Sequence, residues 1–201
     1  MGSNGVAAVL RLAKLGHLIG NYPADNLERE FSFQDFSAIN QAIEEMYGAQ
    51  GAKGLCFRAG GVTVKYAIAD GVLFADLRDP AFELLPPGAK VKVGLNVLTT
   101  TFGELSDQVA RAQEDGDNLI FAVEQCPECW GRASESPICH GTGGMLHEAL
   151  HWLSDSRRFT ADEIACIARG DESCTFAIVT RAEEESEGQG LTGPAEDSAG
   201  D

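Results

Sequence analysis

The chain has 201 residues, of which 44% are hydrophobic, so it can bury one substantial core and has little room for a second domain. Asp and Glu number 31 against 15 for Lys and Arg, which gives a formal net charge of -16. A surface this negative repels phosphate backbones and anionic leaflets, so we expect neither nucleic acid nor a membrane surface as a partner.

Residues 1–30 are predicted to form an N-terminal helical segment. Its apolar residues are interrupted by Arg11, Lys14 and His17, which is typical of an amphipathic helix, a candidate interface element, and not of a signal peptide. No stretch approaches the roughly 20 apolar residues that cross a bilayer. Without a membrane span or an export signal we expect a cytoplasmic location, where cysteines are thiols or metal ligands more often than disulfides.

The domain itself is predicted to occupy residues 31–180 and to begin with a helix. Asp35 can cap this helix, and Gly48 stops it. A short strand is predicted at 54–58. The apolar residues between 62 and 68 alternate as in a strand, but the segment is short and equally compatible with a helix.

A second helix should follow the double proline at 86 and 87, because apolar residues recur there at i, i+4, i+7 and i+11. These residues are Val91, Leu95, Leu98 and Phe102. Next, two strand-like runs at 108–113 and 118–124 flank the turn signal Asp115-Gly116-Asp117, which predicts a β-hairpin.

Beyond a cysteine-rich loop, another helix is predicted to end near Ser154. It carries one apolar face, formed by Met145, Leu146, Ala149, Leu150 and Leu153. A second hairpin, with strands at 159–168 and 174–179 joined through 170–173, closes the domain. Helices alternating with hairpins indicate an α+β fold with an antiparallel sheet and packed helices. Residues 181–201 carry glutamates among Gly, Ser and Pro, and are predicted to be a disordered acidic tail that serves solubility.

Five of the six cysteines fall within residues 126–174: Cys126, Cys129, Cys139, Cys166 and Cys174. Cys166 and Cys174 lie on either side of the second hairpin turn, so chain reversal should bring their thiols together. Cys139 sits where a helix should begin, and a helix N-terminus favours the thiolate that a metal needs. Cys56 is predicted to be an ordinary core residue.

A closed zinc site needs four tetrahedral ligands, so a fourth must join Cys139, Cys166 and Cys174. Glu163 is one candidate, and the C-x-x-C pair of Cys126 and Cys129 serves at least as well on ligand type alone. An iron–sulfur cluster held by four of the five cysteines is an alternative, as are merely buried thiols.

Three stretches, at 139–144, 163–171 and 174–178, resemble the 4-vinyl-reductase domain family. The resemblance is carried by residues 126–179. It implies a fold shared with Golgi-transport TRAPP subunits and related to haem nitric-oxide sensors, and a homodimer. In aromatic-sensing members, three cysteines and a glutamate hold zinc, which by motif implies Cys139, Glu163, Cys166 and Cys174 here. This chain adds Cys126 and Cys129, which puts Glu163 in question, and lacks the ATPase and DNA-binding regions of those activators.

A competing motif lies on the last predicted helix, where residues 147–151 match H-E-x-x-H. In zinc metalloproteases two such histidines bind the metal and the glutamate acts as base. Here the core-facing stripe turns His147 and His151 toward the helix flank, so surface or pocket-edge histidines are the preferred interpretation. His140 is a weak alternative ligand.

A zinc closed by four protein ligands has no open position for substrate, so its role would be structural. The predicted function is therefore to bind a small apolar or aromatic ligand, as a sensor or carrier, in a pocket walled by Phe102, Phe121 and Trp152. One alternative is an enzyme or accessory factor in (bacterio)chlorophyll vinyl-group reduction, although no nucleotide-binding glycine fingerprint supports it. Gly141, Gly143 and Gly144 are instead predicted to allow close helix packing. A ligand-free interaction subunit is a second alternative.

Overall fold

The computed structural model describes residues 1–24, 26–116, 118–155 and 159–180, so the predicted acidic tail lies outside the described residues. The helices are α1 (Gly2–Leu12), α2 (Phe33–Ala69), α3 (Pro80–Glu83), α4 (Pro87–Leu105) and α5 (His140–Ser154), with 3-10 turns at Gly16–Leu18, Ala75–Arg78 and Ile167–Arg169. The strands are β1 (Ala110–Asp115), β2 (Asn118–Val123), β3 (Phe159–Ala165) and β4 (Cys174–Thr180). They form one antiparallel sheet in the order β1-β2-β4-β3, which confirms the predicted fold class.

Helix α2 differs most from the sequence prediction. Its cap is Ser32, whose Oγ accepts a hydrogen bond from the backbone N–H of Asp35 at 3.0 Å, so the prediction of Asp35 as the cap is wrong by three residues. Gly48 interrupts the helix with φ 69° and ψ 167°, as predicted, but the chain then resumes helical geometry through Ala69. The strand predicted at 54–58 is therefore wrong, and residues 62–68 are helical.

Helices α2 and α5 pack with their backbones in contact, which explains the glycines of both. A Cβ added to Gly60 would overlap the carbonyl oxygen of Gly141 and lie 2.8 Å from its carbonyl carbon. One added to Gly144 would overlap the carbonyl oxygen of Phe57 in the same way. The predicted packing role of the glycines after Cys139 is borne out at Gly141 and Gly144. Tertiary contact, not helix propensity, selects these glycines.

The core lies between the sheet and the other two long helices, α4 and α5. The apolar residues predicted to face it are buried on α4 at Val91, Leu95, Leu98 and Phe102, and on α5 at Leu146, Ala149, Leu150 and Leu153. Both predicted hairpins are present, and the second strand run ends at Ala165 because the 3-10 turn follows it. Helix α1 packs against α2. No described helix combines the length and hydropathy that a membrane span requires.

Candidate metal centre and cavity

Five cysteines from four separate parts of the fold converge on one point in the interior. Cys126 and Cys129 come from the loop after β2, and Cys139 is the N-cap residue of α5. Cys166 follows β3, and Cys174 is the first residue of β4. Each of the five is at most 1% exposed. The predicted cysteine constellation is thus assembled by the fold.

The spacing of the sulfur atoms suits a single tetrahedral ion. Cys139 Sγ lies 3.4 Å from the Sγ atoms of Cys126 and Cys174, and 3.7 Å from that of Cys166. The Sγ atoms of Cys129 and Cys174 are 3.4 Å apart. A zinc ion with Zn–S bonds of about 2.3 Å places its sulfur ligands about 3.8 Å apart. The four buried thiols therefore lie close enough to hold a metal ion.

Two overlapping groups of ligand atoms each lie within 4.8 Å of one another. One is formed by Cys126, Cys129, Cys139 and Cys174, and the other by Cys139, Glu163, Cys166 and Cys174. The choice posed by the sequence was for a fourth ligand beside Cys139, Cys166 and Cys174. In the structure, the group that contains Cys126 and Cys129 leaves out Cys166 as well as Glu163.

A β-bulge brings Glu163 to the cluster. On a regular strand, residues three apart point to opposite faces. Here the register with β4 shifts between Glu163 and Ala165, which leaves Ile164 outside the pairing, so that Glu163 and Cys166 can reach the same cluster. The backbone N–H of Cys139 donates to Glu163 Oε2 at 2.9 Å.

The other carboxylate oxygen of Glu163, Oε1, is buried and has no hydrogen-bond partner among the described residues. Burial, followed by the charge of Cys166, raises the pKa of Glu163 to about 9. An unsatisfied buried carboxylate oxygen is costly, and a bound cation would relieve that cost. The residues present therefore fit a metal ion.

The thiols also affect one another's ionisation. The pKa of Cys129 is lowered because the thiols of Cys126 and Cys139 donate hydrogen bonds to its thiolate. The pKa of Cys139 is raised by the same neighbours, Cys126 and Cys129. A few buried thiols can share one negative charge, but ionising all of them together requires a cation.

Glu128, between the two cysteines of the C-x-x-C pair, is a structural residue that the sequence analysis missed. Its buried carboxylate accepts hydrogen bonds from the backbone N–H of Gly141 at 2.7 Å, from that of Thr142, and from Thr142 Oγ1 at 2.6 Å. Burial raises the pKa of Glu128. Because Cys139 has no side-chain cap bond of its own, Glu128 caps α5 and holds the C-x-x-C loop against it. The available signal was a carboxylate that precedes a helix lacking a capping side chain.

The turn between Cys166 and Cys174 is fixed by Asp171, a second residue that was missed. Asp171 Oδ2 accepts hydrogen bonds from the backbone N–H of Cys166 at 2.8 Å and from Arg169 Nε at 2.9 Å. Gly170, with φ 100°, supplies the left-handed conformation that the turn needs. The backbone N–H of Ile167 donates to Cys174 Sγ at 3.4 Å. Such outer hydrogen bonds orient metal ligands.

A cavity of about 480 Å³ borders the cysteine cluster, and its lining includes both Cys139 and Glu163. It lies between α2, the start of α5, and strands β3 and β4. The apolar part of its lining includes Phe57, Ile138, Ala161 and Phe176, and the polar part includes Asn40, Glu44, Lys53, Arg132 and His140. Burial lowers the pKa of His140, which favours the neutral ring. Cys56 also lines this cavity, on a helix and half-buried, instead of lying in the core as predicted.

The predicted pocket walls lie elsewhere. Phe102 and Phe121 are buried against each other, with ring centroids 5.8 Å apart, and Trp152 stacks on Phe74 at 5.0 Å. None of the three predicted residues borders the cavity beside the cysteines, so that prediction is wrong. They fill the core because the sheet and helices close over them.

The H-E-x-x-H segment does not assemble a metal site. His147 is half-buried against the ring of Phe57 at 5.5 Å, and Glu148 Oε2 lies 3.6 Å from Lys65 Nζ. Within the described part of the chain, no group of residues close enough to hold a metal includes a histidine, and His140 is likewise not among them.

Comparisons with known proteins agree with this arrangement. An uncharacterized protein of Methanocaldococcus jannaschii is 35% identical over 60 residues, which is 30% of this chain and 33% of that protein, so the chain matches about a third of the length of this relative. The phenol-responsive sensory domain of the transcription activator PoxR, solved with phenol, aligns at 14% identity with a TM-score of 0.56 over 89% of this chain and 90% of that one. An H-NOX protein from S. oneidensis aligns at 12% identity with a TM-score of 0.49 over 90% of this chain and 100% of that one.

The match to a known family model, that of the 4-vinyl-reductase domain, covers residues 119–180, from β2 to the end of β4. This segment contains all five clustered cysteines, Glu163 and the two hydrogen-bonding carboxylates. Residues 119–180 are therefore a 4-vinyl-reductase domain, which confirms the resemblance to this family predicted from the sequence.

Proposed function

We propose that this chain is a ligand-binding sensor domain that recognises a small aromatic or apolar molecule in the cavity beside the cysteine cluster. The observation that carries the proposal is the shared boundary, since Cys139 and Glu163 belong both to the cavity lining and to the cluster. A volume of about 480 Å³ is in the range of small-molecule sites, and a pocket filled by its own side chains would instead favour an interaction subunit.

The lining indicates the chemistry of the ligand. The rings of Phe57 and Phe176 offer flat apolar contact, and Asn40 and His140 offer hydrogen bonds. A planar molecule with one polar substituent, such as a phenol, matches this combination. The fold likeness to a phenol-responsive sensory domain is in keeping with that choice.

The metal in this proposal is zinc in a structural role. It would be held by Cys139 and Cys174 together with either Cys126 and Cys129 or Glu163 and Cys166. When bound, such an ion with four protein ligands supplies cross-linking and no reactive position. The chain's own residues, in particular Glu128 and Asp171, keep the C-x-x-C loop, the start of α5 and the β3-β4 hairpin in place, and these elements form one side of the cavity.

The test is isothermal titration calorimetry of the metal-loaded protein with phenol, 1-naphthol, toluene and protoporphyrin. Ala161→Phe fills the cavity from edge strand β3. Ala112→Phe is its matched control, because Ala112 is also a half-buried alanine on an edge strand, β1, and lies away from this cavity.

We expect at least one of the four probes to bind with one molecule per chain, and Ala161→Phe to weaken that binding at least tenfold. Ala112→Phe should bind as the wild type does. Binding of none of the probes, or equal loss in both variants, would contradict the proposal.

A further inference from the structure

The cysteine cluster offers more ligands than one metal ion can use. Five thiols and one carboxylate converge, whereas a tetrahedral ion takes four. If one ion occupies the four-cysteine group, Cys166 and Glu163 are left over, with Glu163 Oε1 still buried and without a partner among the described residues. If it occupies the other group, Cys126 and Cys129 are left over, each only 1% exposed.

The two groups overlap in a particular way. They share two members, Cys139 and Cys174, whose sulfur atoms are 3.4 Å apart, and each group adds two ligands of its own. Two tetrahedra that share an edge have this composition: two bridging ligands, and two terminal ligands on each ion. The terminal pairs are Cys126 with Cys129 on one ion and Glu163 with Cys166 on the other.

We propose that the cluster is a binuclear centre in which the thiolates of Cys139 and Cys174 bridge two zinc ions. Every one of the six ligands is then used, including the otherwise unsatisfied oxygen of Glu163. Two divalent ions with six anionic ligands carry the same net charge as one ion with four thiolates, so the second ion adds no uncompensated charge. Cys139 lies at the N-terminus of α5, where the helix dipole favours an anionic bridge.

The two ions differ in their donor sets. One has four sulfur ligands, and the other has three sulfur ligands and one oxygen. Because thiolates bind zinc more strongly than a carboxylate does, the ion at Glu163 should leave first when a chelator is added. That ion also lies beside the cavity, since Glu163 is part of the cavity lining.

The inference rests on the metal centre of the proposed function, and one experiment separates the two. The full-length chain, expressed with zinc and purified without chelator, is analysed by native mass spectrometry and elemental analysis. We expect two zinc ions per chain. One ion per chain would overturn the binuclear centre and leave the single structural zinc standing, whereas no metal, or iron with inorganic sulfide, would overturn both.

Variants and a second probe locate the ions. Cys126→Ser with Cys129→Ser, and Glu163→Gln with Cys166→Ser, should each retain one ion, and Cys56→Ser, a control at the cysteine outside the cluster, should retain two. Because a cluster variant can fail to fold, the wild type is also loaded with ¹¹³Cd. Two resonances with mutual coupling through the bridging sulfurs are expected in its NMR spectrum, and a single resonance or two uncoupled ones would overturn the proposal.

Discussion

Replacing Gly60 with alanine tests the backbone contact between α2 and α5. The added Cβ would overlap the carbonyl oxygen of Gly141 and lie 3.0 Å from the backbone nitrogen of Met145. These are backbone atoms that cannot move aside, so the two helices must separate. Overpacking of this kind costs about 1–3 kcal/mol or more, and improved helix propensity returns at most about 1 kcal/mol. We expect a net loss of about 2 kcal/mol.

Gly61→Ala is the matched control one residue along the same helix. Its Cβ would lie 3.6 Å from the carbonyl oxygen of Gly144 and 3.8 Å from Glu148, which are ordinary van der Waals distances. Helix propensity should then dominate and stabilise the protein by about 0.5–1 kcal/mol.

The assay is thermal unfolding of the metal-loaded proteins by calorimetry. For a chain of this length, about 1 kcal/mol corresponds to about 2–4 °C in Tm, so Gly60→Ala should lower Tm by about 5 °C and Gly61→Ala should raise it by about 2 °C. Gly60→Ala should also retain less metal, because Gly141 lies two residues after Cys139. A Gly60→Ala protein as stable as the wild type would refute the close packing of the two helices.

Three further predictions concern single side chains around the cluster and the cavity. Glu128→Ala removes the cap of α5 and should lower the free energy of unfolding in urea by about 2–4 kcal/mol, whereas the exposed Glu135→Ala should change it by less than about 0.5 kcal/mol; equal effects would contradict the capping role. Asp171→Ala should speed zinc release to a chelator by about tenfold, and the neighbouring exposed Glu172→Ala should not; similar release rates would show that the turn does not orient Cys166. Burial, followed by the charge of Glu128, raises the pKa of Cys56 to about 11, so its thiolate is scarce at pH 8 and increases as pH rises toward that value. Peptide mapping after iodoacetamide treatment should then show alkylation at pH 8 on the order of 100-fold slower than for free cysteine, rising about tenfold per pH unit, and reaction at the free-cysteine rate would contradict the buried placement.

The parts of the fold predicted correctly are those where local pattern and tertiary contact agree. The apolar stripes of α4 and α5 repeat at helical spacing, and each faces the core along its length. The clustered cysteines could be anticipated because a hairpin turn separates Cys166 from Cys174, and chain reversal is a local event. Cys139 could be placed at a helix start for the same reason.

The rest depends on contacts between residues distant in sequence. The second half of α2 is rich in glycine, which local propensity assigns to turns or strands, but Gly60 is glycine because the backbone of α5 touches it there. The cavity could not be located because it forms where α2 meets β3, and no periodicity records that meeting. Glu163 and Cys166 reach the same cluster through a bulge, which the sequence alternation does not reveal.

Ligand affinity with and without the metal tests the central claim most directly, because the claim is that the cysteine centre holds one side of the ligand cavity in place. The calorimetric titration is repeated with the tightest-binding of the four probes on metal-loaded protein and on protein stripped by a chelator and dialysed. The account predicts that removing the metal weakens binding at least tenfold and that adding zinc back restores it. Equal affinity of the loaded and stripped proteins would contradict the account.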